Sequence, residues 1–167
     1  MQSARSALFP GSFDPITSGH LDLIERARAI FDEVVVAVGR HATRQPLFTL
    51  DERIAMLTEV TAKWPGVRIA SYDGLLIDFA ASVGAIAVVR GLRSGTDLDY
   101  EMPIAHANHG MKPAIDTLFF PTRAGLSFVS ASIVREIAAH GGPVNGLVPP
   151  PVARALEKKF PSLKAQS

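Results

Sequence analysis

The sequence predicts an α/β fold, a single domain spanning residues 1–167, with a doubly wound parallel sheet of five strands, helices on both faces and further C-terminal helices. Three observations predict it. Short apolar segments rich in β-branched residues alternate with longer segments of helical periodicity, as in repeated strand–helix units. The segment 33–39, EVVVAVG, is apolar on both faces, as expected for a strand between two helix layers. Polar or glycine-rich segments follow most strand candidates, which is typical of the ligand-binding edge of a Rossmann-like sheet.

Local signals define each element in turn. The strand candidates are apolar runs bounded by polar or turn residues, and they cover 6–10, 33–39, 67–72, 85–90 and 116–120. Thr49 and Glu52 form a capping box that opens the second helix, and two glycines after His140 close the fifth. The helix candidates cover 21–31, 50–63, 75–83, 97–110, 132–140 and a last segment from the prolines at 149–151 to about Lys159. The segment 91–95 is predicted to be a loop.

Composition narrows the class of protein. The residues are 47% hydrophobic and 20% charged, as in a soluble globular protein, and the formal net charge is only +1. Such a balance argues against a dedicated nucleic-acid or membrane-surface binder. The chain has no cysteine, no apolar run long enough to span a bilayer and no signal-peptide pattern at its start. We therefore expect a cytoplasmic protein without nucleic-acid or membrane partners.

Four polar segments follow strand ends, at 11–20, 40–44, 90–93 and 121–132. In a doubly wound sheet these segments converge on one crevice, where strand order reverses. The chain lacks both GxxxxGK[ST] and a GxGxxG after the first strand, so a nucleotide site here needs another device.

The segment GSFDPITSGH, at 11–20, can supply that device. Gly11 allows a close backbone approach, and the Ser12 hydroxyl can bind a phosphate. Thr17 or Ser18 can cap the following helix, whose N-terminus favours anions. His20 can donate a hydrogen bond to a phosphoryl oxygen. The alternative is a structural strand-to-helix turn, with His20 bonded to a nearby carbonyl.

Two later segments also suggest anion sites. Arg90 and Arg93 flank a glycine at a strand end, where their planar guanidinium groups could bind phosphate, or could lie in a solvated loop. Asp97 and Glu101 could orient these arginines, bind a ribose or be surface charges. Serines 127, 130 and 132, with Arg135 one turn later, predict a second anion-binding helix N-terminus or a plain N-cap. His106 and His109 are three residues apart, but we expect packing or solvent contact rather than a metal site.

The chain resembles the bacterial phosphopantetheine adenylyltransferases, of the nucleotidyltransferase superfamily marked by (H/T)xGH, which is TSGH at 17–20 here. The resemblance continues through FTLDER at 48–53, RGLR at 90–93, Asp97, Tyr100-Glu101 and SFVSAS at 127–132. It implies transfer of the adenylyl group of ATP to 4′-phosphopantetheine, giving dephospho-coenzyme A and pyrophosphate in coenzyme A biosynthesis. It also implies a magnesium-dependent reaction and a homohexamer, and leaves feedback binding of product or coenzyme A open.

The resemblance also implies roles for individual residues. His20 corresponds to the catalytic residue taken to stabilise the transition state. The substrate-binding positions correspond to Ser12, Arg44, Leu76 and Arg90. The ATP-binding positions correspond to Ser12, Phe13, His20, Gly91, Leu92, Arg93, Glu101, Leu126, Ser127, Phe128, Val129, Ser130, Ala131 and Ser132.

Two of these positions depart from the family pattern. The family commonly has lysine where this chain has Arg44, and a third serine where it has Ala131. The metal ligands are not predicted.

We expect direct in-line attack without a covalent intermediate, because the predicted site holds positioning and charge-stabilising groups but no evident nucleophile. Two alternatives stay open at this point. One is a related transferase that uses nicotinamide mononucleotide or a cytidylyl donor, and the other is a non-catalytic nucleotide-binding regulator.

Overall fold

The computed structural model describes residues 4–40 and 45–161. Its strands are β1 (Ser6–Gly11), β2 (Glu33–Gly39), β3 (Val67–Tyr72), β4 (Ala85–Leu92) and β5 (Asp116–Pro121). Its α-helices are α1 (Ser18–Ala27), α2 (Leu50–Thr61), α3 (Leu76–Ser82), α4 (Gly95–Met111), α5 (Ala131–Ala139) and α6 (Pro150–Lys159). A 3₁₀ turn at Ala124–Leu126 lies between β5 and α5. None of the helices in the described ranges is both long and apolar enough to cross a membrane.

The strands form one parallel sheet in the order β3-β2-β1-β4-β5. The chain therefore runs outward from β1 to β3, crosses back to β4 on the other side of β1, and continues to β5. Strand order reverses between β1 and β4, and the loops that leave these two strands diverge to opposite faces of the sheet. A crevice forms at this point, where doubly wound sheets bind their ligands.

The two faces of the sheet bury different amounts of apolar surface. Alternate residues of the strands point to opposite faces, so Ala7 and Phe9 join one cluster and Leu8 joins the other. The larger cluster packs the sheet against α1, α2, α5 and α6. The smaller cluster lies on the α3 side, and α4 adds only Glu101 and Asn108 to the buried set.

The predicted fold class is confirmed, and strands β2 and β3 have the predicted bounds. Several predicted ends were wrong, because capping residues set them. Thr17, Ser94 and Ser130 cap α1, α4 and α5, so these helices start one to three residues before the predicted starts. The predicted loop at 91–95 is shorter, because Gly91 and Leu92 pair with β5 and extend β4.

Candidate active site

Two adjoining cavities open at the crevice between β1 and β4. The larger has a volume of about 440 Å³ and the smaller about 350 Å³. Their shared wall consists of Pro10, Gly11, Ser12, Arg90, Glu101 and Arg135. The end of β1 and Arg90 of β4 therefore lie between the two compartments.

His20 lines the smaller cavity and is oriented by the cap of its own helix. The Thr17 backbone N–H donates to His20 Nδ1 at 3.0 Å, and the Thr17 side chain accepts from the His20 N–H. This is a capping box with histidine in the place usually held by Glu or Gln. Because a backbone N–H can only donate, Nδ1 is unprotonated and Nε2 carries the proton of the neutral ring. His20 Nδ1 is therefore held by a backbone N–H. The structural-turn alternative predicts a carbonyl as its partner, and that is not the contact found at Nδ1.

Burial and two arginines keep the His20 ring neutral. Desolvation, with smaller contributions from the positive charges of Arg93 and Arg90, lowers the pKa of His20 to about 4. Phe13 packs edge-on against the imidazole with ring centroids 5.2 Å apart. At neutral pH the ring is thus a fixed, uncharged hydrogen-bond donor.

Phe13 explains why residue 11 is glycine. Its backbone lies in the left-handed region, with φ of 45°, and its ring is fully buried. A Cβ on Gly11 would lie 2.8 Å from the Phe13 ring. The glycine is thus required by packing of the ring that supports His20, in addition to lining both cavities.

Each arginine of the 90–93 segment is held by a carboxylate on α4. Glu101 binds the Arg90 guanidinium with both oxygens, one at 2.8 Å from Nε, and Arg90 Nη1 donates to the Pro10 carbonyl at 3.2 Å. Arg93 donates to Asp97 from its backbone N–H at 2.8 Å and from Nε at 3.0 Å. Hydrogen bonding to Arg93 lowers the pKa of Asp97. Asp97 and Glu101 therefore orient the two arginines, which is one of the three roles predicted for these carboxylates.

The N-terminus of α5 also lines the smaller cavity. Ser130 is its N-cap and accepts from the Ile133 N–H at 3.2 Å, as the plain N-cap alternative predicts. Ser130, Ala131 and Ser132 all line the cavity, so the cap and the anion-site predictions are compatible. Arg135 Nη2 donates to the Ser132 hydroxyl at 3.3 Å.

The larger cavity has a more apolar wall, contributed by α3 and α4. Leu76 from α3 and Ile104 from α4 line it, together with Tyr72 at the end of β3 and the buried Asn108. The Tyr72 ring stacks on Phe79 with centroids 5.2 Å apart, and burial raises the pKa of its hydroxyl. This compartment suits an elongated ligand with an apolar body and a few polar groups.

Asp14 and Arg53 organise the larger cavity, and sequence reasoning missed both. The Asp14 carboxylate accepts the backbone N–H groups of Leu47 and Phe48, each at 2.9 Å, and pairs with Arg135 at 3.8 Å. Arg53 Nη1 donates to the Ser12 carbonyl at 2.8 Å. Their partners are 33 to 121 residues away in the sequence, so no local pattern could have indicated these contacts.

The structure brings most of the predicted site residues into these two cavities. Among the described residues, five predicted ATP-binding positions lie outside both walls, namely Phe13, Leu92, Leu126, Ser127 and Phe128. Arg44 and His41 lie outside the described residues. Arg40 pairs with Asp73 at 3.3 Å, and His106 and His109 are exposed on α4. No group of three potential metal ligands occurs within residues 4–40 and 45–161.

Similarity to known proteins identifies the chain as a nucleotidyltransferase. The cytidylyltransferase-like family model matches residues 8–137 of the chain. A putative nicotinate-nucleotide adenylyltransferase from Vibrio parahaemolyticus has the same fold, with a TM-score of 0.72 over 92% of this chain and 99% of that one, at 14% identity.

Curated relatives narrow the class. Phosphopantetheine adenylyltransferase from Thiobacillus denitrificans is 51% identical over 93% of this chain and 97% of its own length. Those from Desulforudis audaxviator and Rhodopseudomonas palustris (strain TIE-1) are 48% and 50% identical, over 92% and 94% of this chain and 94% and 96% of their own lengths. The chain belongs to the phosphopantetheine adenylyltransferase family.

Proposed function

We propose that this enzyme transfers the adenylyl group of ATP to 4′-phosphopantetheine, releasing dephospho-coenzyme A and pyrophosphate, in the biosynthesis of coenzyme A. The observation that carries the proposal is the pair of cavities joined at Ser12 and Arg90. The smaller, polar cavity suits ATP, and the larger, more apolar one suits the pantetheine arm. Two substrates in these compartments would bring an acceptor phosphate and the α-phosphorus of ATP together at the shared wall.

We propose direct in-line attack. An oxygen of the phosphopantetheine phosphate bonds to the α-phosphorus, the bond from that phosphorus to the β-phosphate oxygen breaks, and pyrophosphate leaves with the electron pair. The chain's part is to position both groups and to stabilise charge that builds on the α-phosphoryl oxygens. His20 Nε2–H, Arg90 and the N-terminus of α5 are the groups placed to do so.

Magnesium is part of the proposal, as a partner of ATP. The carboxylates on the smaller cavity, Asp97 and Glu101, each bind an arginine, so the donor set fits a metal held mainly by phosphate oxygens and water. Charge on the leaving pyrophosphate would be neutralised by a Mg²⁺ ion that enters this cavity with ATP. Arg93 and Ser132 line the same cavity and would bind the remaining phosphate oxygens.

A pyrophosphate-release assay with ATP, magnesium and 4′-phosphopantetheine tests the activity, with mass analysis of the product. We expect dephospho-coenzyme A, and no turnover with nicotinamide or nicotinate mononucleotide as acceptor or with CTP as donor. Preference for another acceptor or donor would replace the proposed substrates. Tight ATP binding without turnover on any acceptor would make the protein a nucleotide-binding regulator.

We further propose a homohexamer. Helix α4 exposes Tyr100, Ile104 and Met111, and β4 exposes Ile86. Apolar surface of this kind favours burial against other copies. Sedimentation equilibrium tests it, with a mass of six chains expected and a monomer contradicting it.

Cytoplasmic location and feedback binding of dephospho-coenzyme A or coenzyme A complete the proposal. Such a ligand would compete with phosphopantetheine for the larger cavity, since it carries the same pantetheine arm. Inhibition kinetics with varied phosphopantetheine test this, and cell fractionation tests the location.

A further inference from the structure

Three consecutive residues at the end of β5, Pro121 to Arg123, are each fixed to a neighbouring element. The Pro121 carbonyl accepts from Arg26 Nη1 of α1 at 2.8 Å. Thr122 donates to the Leu92 carbonyl of β4 from its N–H at 2.7 Å and from its hydroxyl at 3.0 Å. Arg123 Nε lies 3.0 Å from Asp22 Oδ1 of α1. The middle residue, Thr122, lines the smaller cavity.

Asp22 is the centre of this arrangement. Its side chain is only 5% exposed, and Arg26 Nη1 lies 3.3 Å from its second oxygen. We name Asp22, Arg26 and Arg123 the Asp22 cluster. A buried carboxylate is costly unless paired, and here each oxygen has its own guanidinium partner. Asp22 itself lines neither cavity.

The cluster joins two segments that both line the smaller cavity. The first turn of α1 contributes Gly19 and His20 to the lining, and Asp22 follows two residues after His20. The chain that leaves Arg123 runs through the 3₁₀ turn into Val129–Ser132, which also line the cavity. The shape of the cavity between these two segments therefore depends on how the start of the second segment is held against α1.

We propose that Asp22 is a positioning residue. Through Arg26 and Arg123 it fixes the segment 121–132 against the helix that carries His20, and so sets the shape of the smaller cavity. The assignment of that cavity to ATP rests on the proposed function. The positioning role predicts a selective loss of ATP use, whereas a role in stability alone predicts a general loss.

Asp22→Asn is the test, because it keeps the side-chain shape and removes the charge. We expect kcat/KM for ATP to fall by about 10- to 100-fold. A loss of this size is typical when a bound substrate is misplaced by up to about 1 Å. The KM for phosphopantetheine should stay unchanged. The matched control is Glu25→Gln on the exposed face of the same helix, which should leave both constants unchanged.

Arg123→Gln keeps the test valid if Asp22→Asn does not fold, since the Arg123 side chain is 66% exposed and its loss leaves the core intact. Arg123→Gln should also lower kcat/KM for ATP, by a smaller factor than Asp22→Asn does. The double variant should cost less than the product of the single factors, since both changes break one pair.

Amide hydrogen exchange gives a readout that does not depend on turnover. In Asp22→Asn the Thr122 and Val129 amides should exchange faster, while β1 and β2 keep their protection. Exchange rates at 121–132 equal to those of the unchanged protein would overturn the positioning role, as would equal losses for both substrates. If the unchanged protein releases no pyrophosphate, the proposed function fails, and the exchange experiment still tests Asp22.

Discussion

The two cavities differ in how their polar groups are held. In the smaller cavity three groups are fixed by residues three or four positions away: His20 by Thr17, Arg93 by Asp97, and the start of α5 by Ser130. Arg90, on the wall that both cavities share, is held by Glu101 at a separation of 11 residues. In the larger cavity the fixing contacts span 33 to 41 residues, from Asp14 to Leu47 and Phe48 and from Arg53 to the Ser12 carbonyl.

The contrast between local and long-range contacts indicates different tasks for the two cavities. Groups oriented by their own helix or turn stay aligned while the rest of the domain moves, which suits the chemical step. A cavity enclosed by distant loops changes shape with the tertiary fold, which suits binding of a long acceptor. Changes in the smaller cavity should therefore affect turnover, and changes in the larger one should affect folding or acceptor affinity.

The largest expected effect is on turnover, from His20→Ala. It removes the Nε2–H donor from the smaller cavity, and we expect kcat to fall on the order of 100-fold or more, the usual cost of one transition-state donor. Steady-state pyrophosphate release measures it. His140→Ala, an exposed histidine at the end of α5, is the control and should be unaffected.

His20→Gln separates the donor from the cap. Glutamine is one of the usual residues at position N3 of a capping box, which His20 occupies here. Helix α1 and the thermal midpoint should therefore be preserved while kcat stays low. Near-normal turnover in either His20 variant would remove the catalytic role from this residue.

The second prediction concerns the long-range contacts of the larger cavity. Asp14→Ala leaves the Leu47 and Phe48 N–H groups without their acceptor, and we expect the free energy of unfolding to fall by about 2 kcal/mol. Urea denaturation measures it, with the exposed Asp99→Ala as control. An unchanged midpoint would show that the contacts of Asp14 contribute no net stability.

The contrast between local and long-range contacts also explains which features of the fold and the site could be predicted from the sequence. The βα alternation predicted the sheet and its ligand-binding edge, since strand and helix periodicities are local. His20, Arg90 and Ser130 were predicted because each lies within a recognisable turn or cap. Sequence alone left open whether Glu101 orients an arginine, binds a ribose or is a surface charge, and its pairing with Arg90 across 11 residues shows the first of these roles.

Tertiary contacts account for what was missed. Nothing near Asp14 in the sequence indicates that its carboxylate caps the loop before α2. The starts of α1 and α5 were predicted late although Thr17 and Ser130 were among the cap candidates, because the helices were drawn from later residues than the ones that directly follow these caps. The cap of α4, Ser94, was not recognised. The roles of the individual site residues stay predictions.

The third prediction is a change in acceptor affinity without a change in turnover. Leu76 lines the larger cavity, whereas its neighbour Leu75 is 57% exposed and lines neither cavity. Leu76→Ala removes apolar contact, and we expect the KM for phosphopantetheine to rise about fivefold, the equivalent of about 1 kcal/mol. Leu75→Ala is the matched control. A fall in kcat with constant KM would contradict the division of tasks between the cavities.

The smallest expected effect concerns pH: turnover should show no dependence on the titration of His20 near neutral pH. Because burial and the nearby Arg93 and Arg90 lower the pKa of His20 to about 4, the ring stays neutral from pH 8 down to about pH 5. Turnover should not follow a histidine titration near 6.5 over that range. NMR of the imidazole, assigned by comparison with His20→Gln, measures the pKa directly.

The sign of the linked stability effect follows from the same shift. Between about pH 6.5 and pH 4 the unfolded chain binds a proton on His20 that the folded chain does not, so this group favours unfolding as the pH falls. Its effect is absent above about pH 6.5 and complete below about pH 4. The His20→Gln protein should therefore lose less stability on acidification than the unchanged protein. An equal loss in both would mean that His20 becomes protonated in the folded state at its ordinary pKa, and that burial and the two arginines do not keep it neutral.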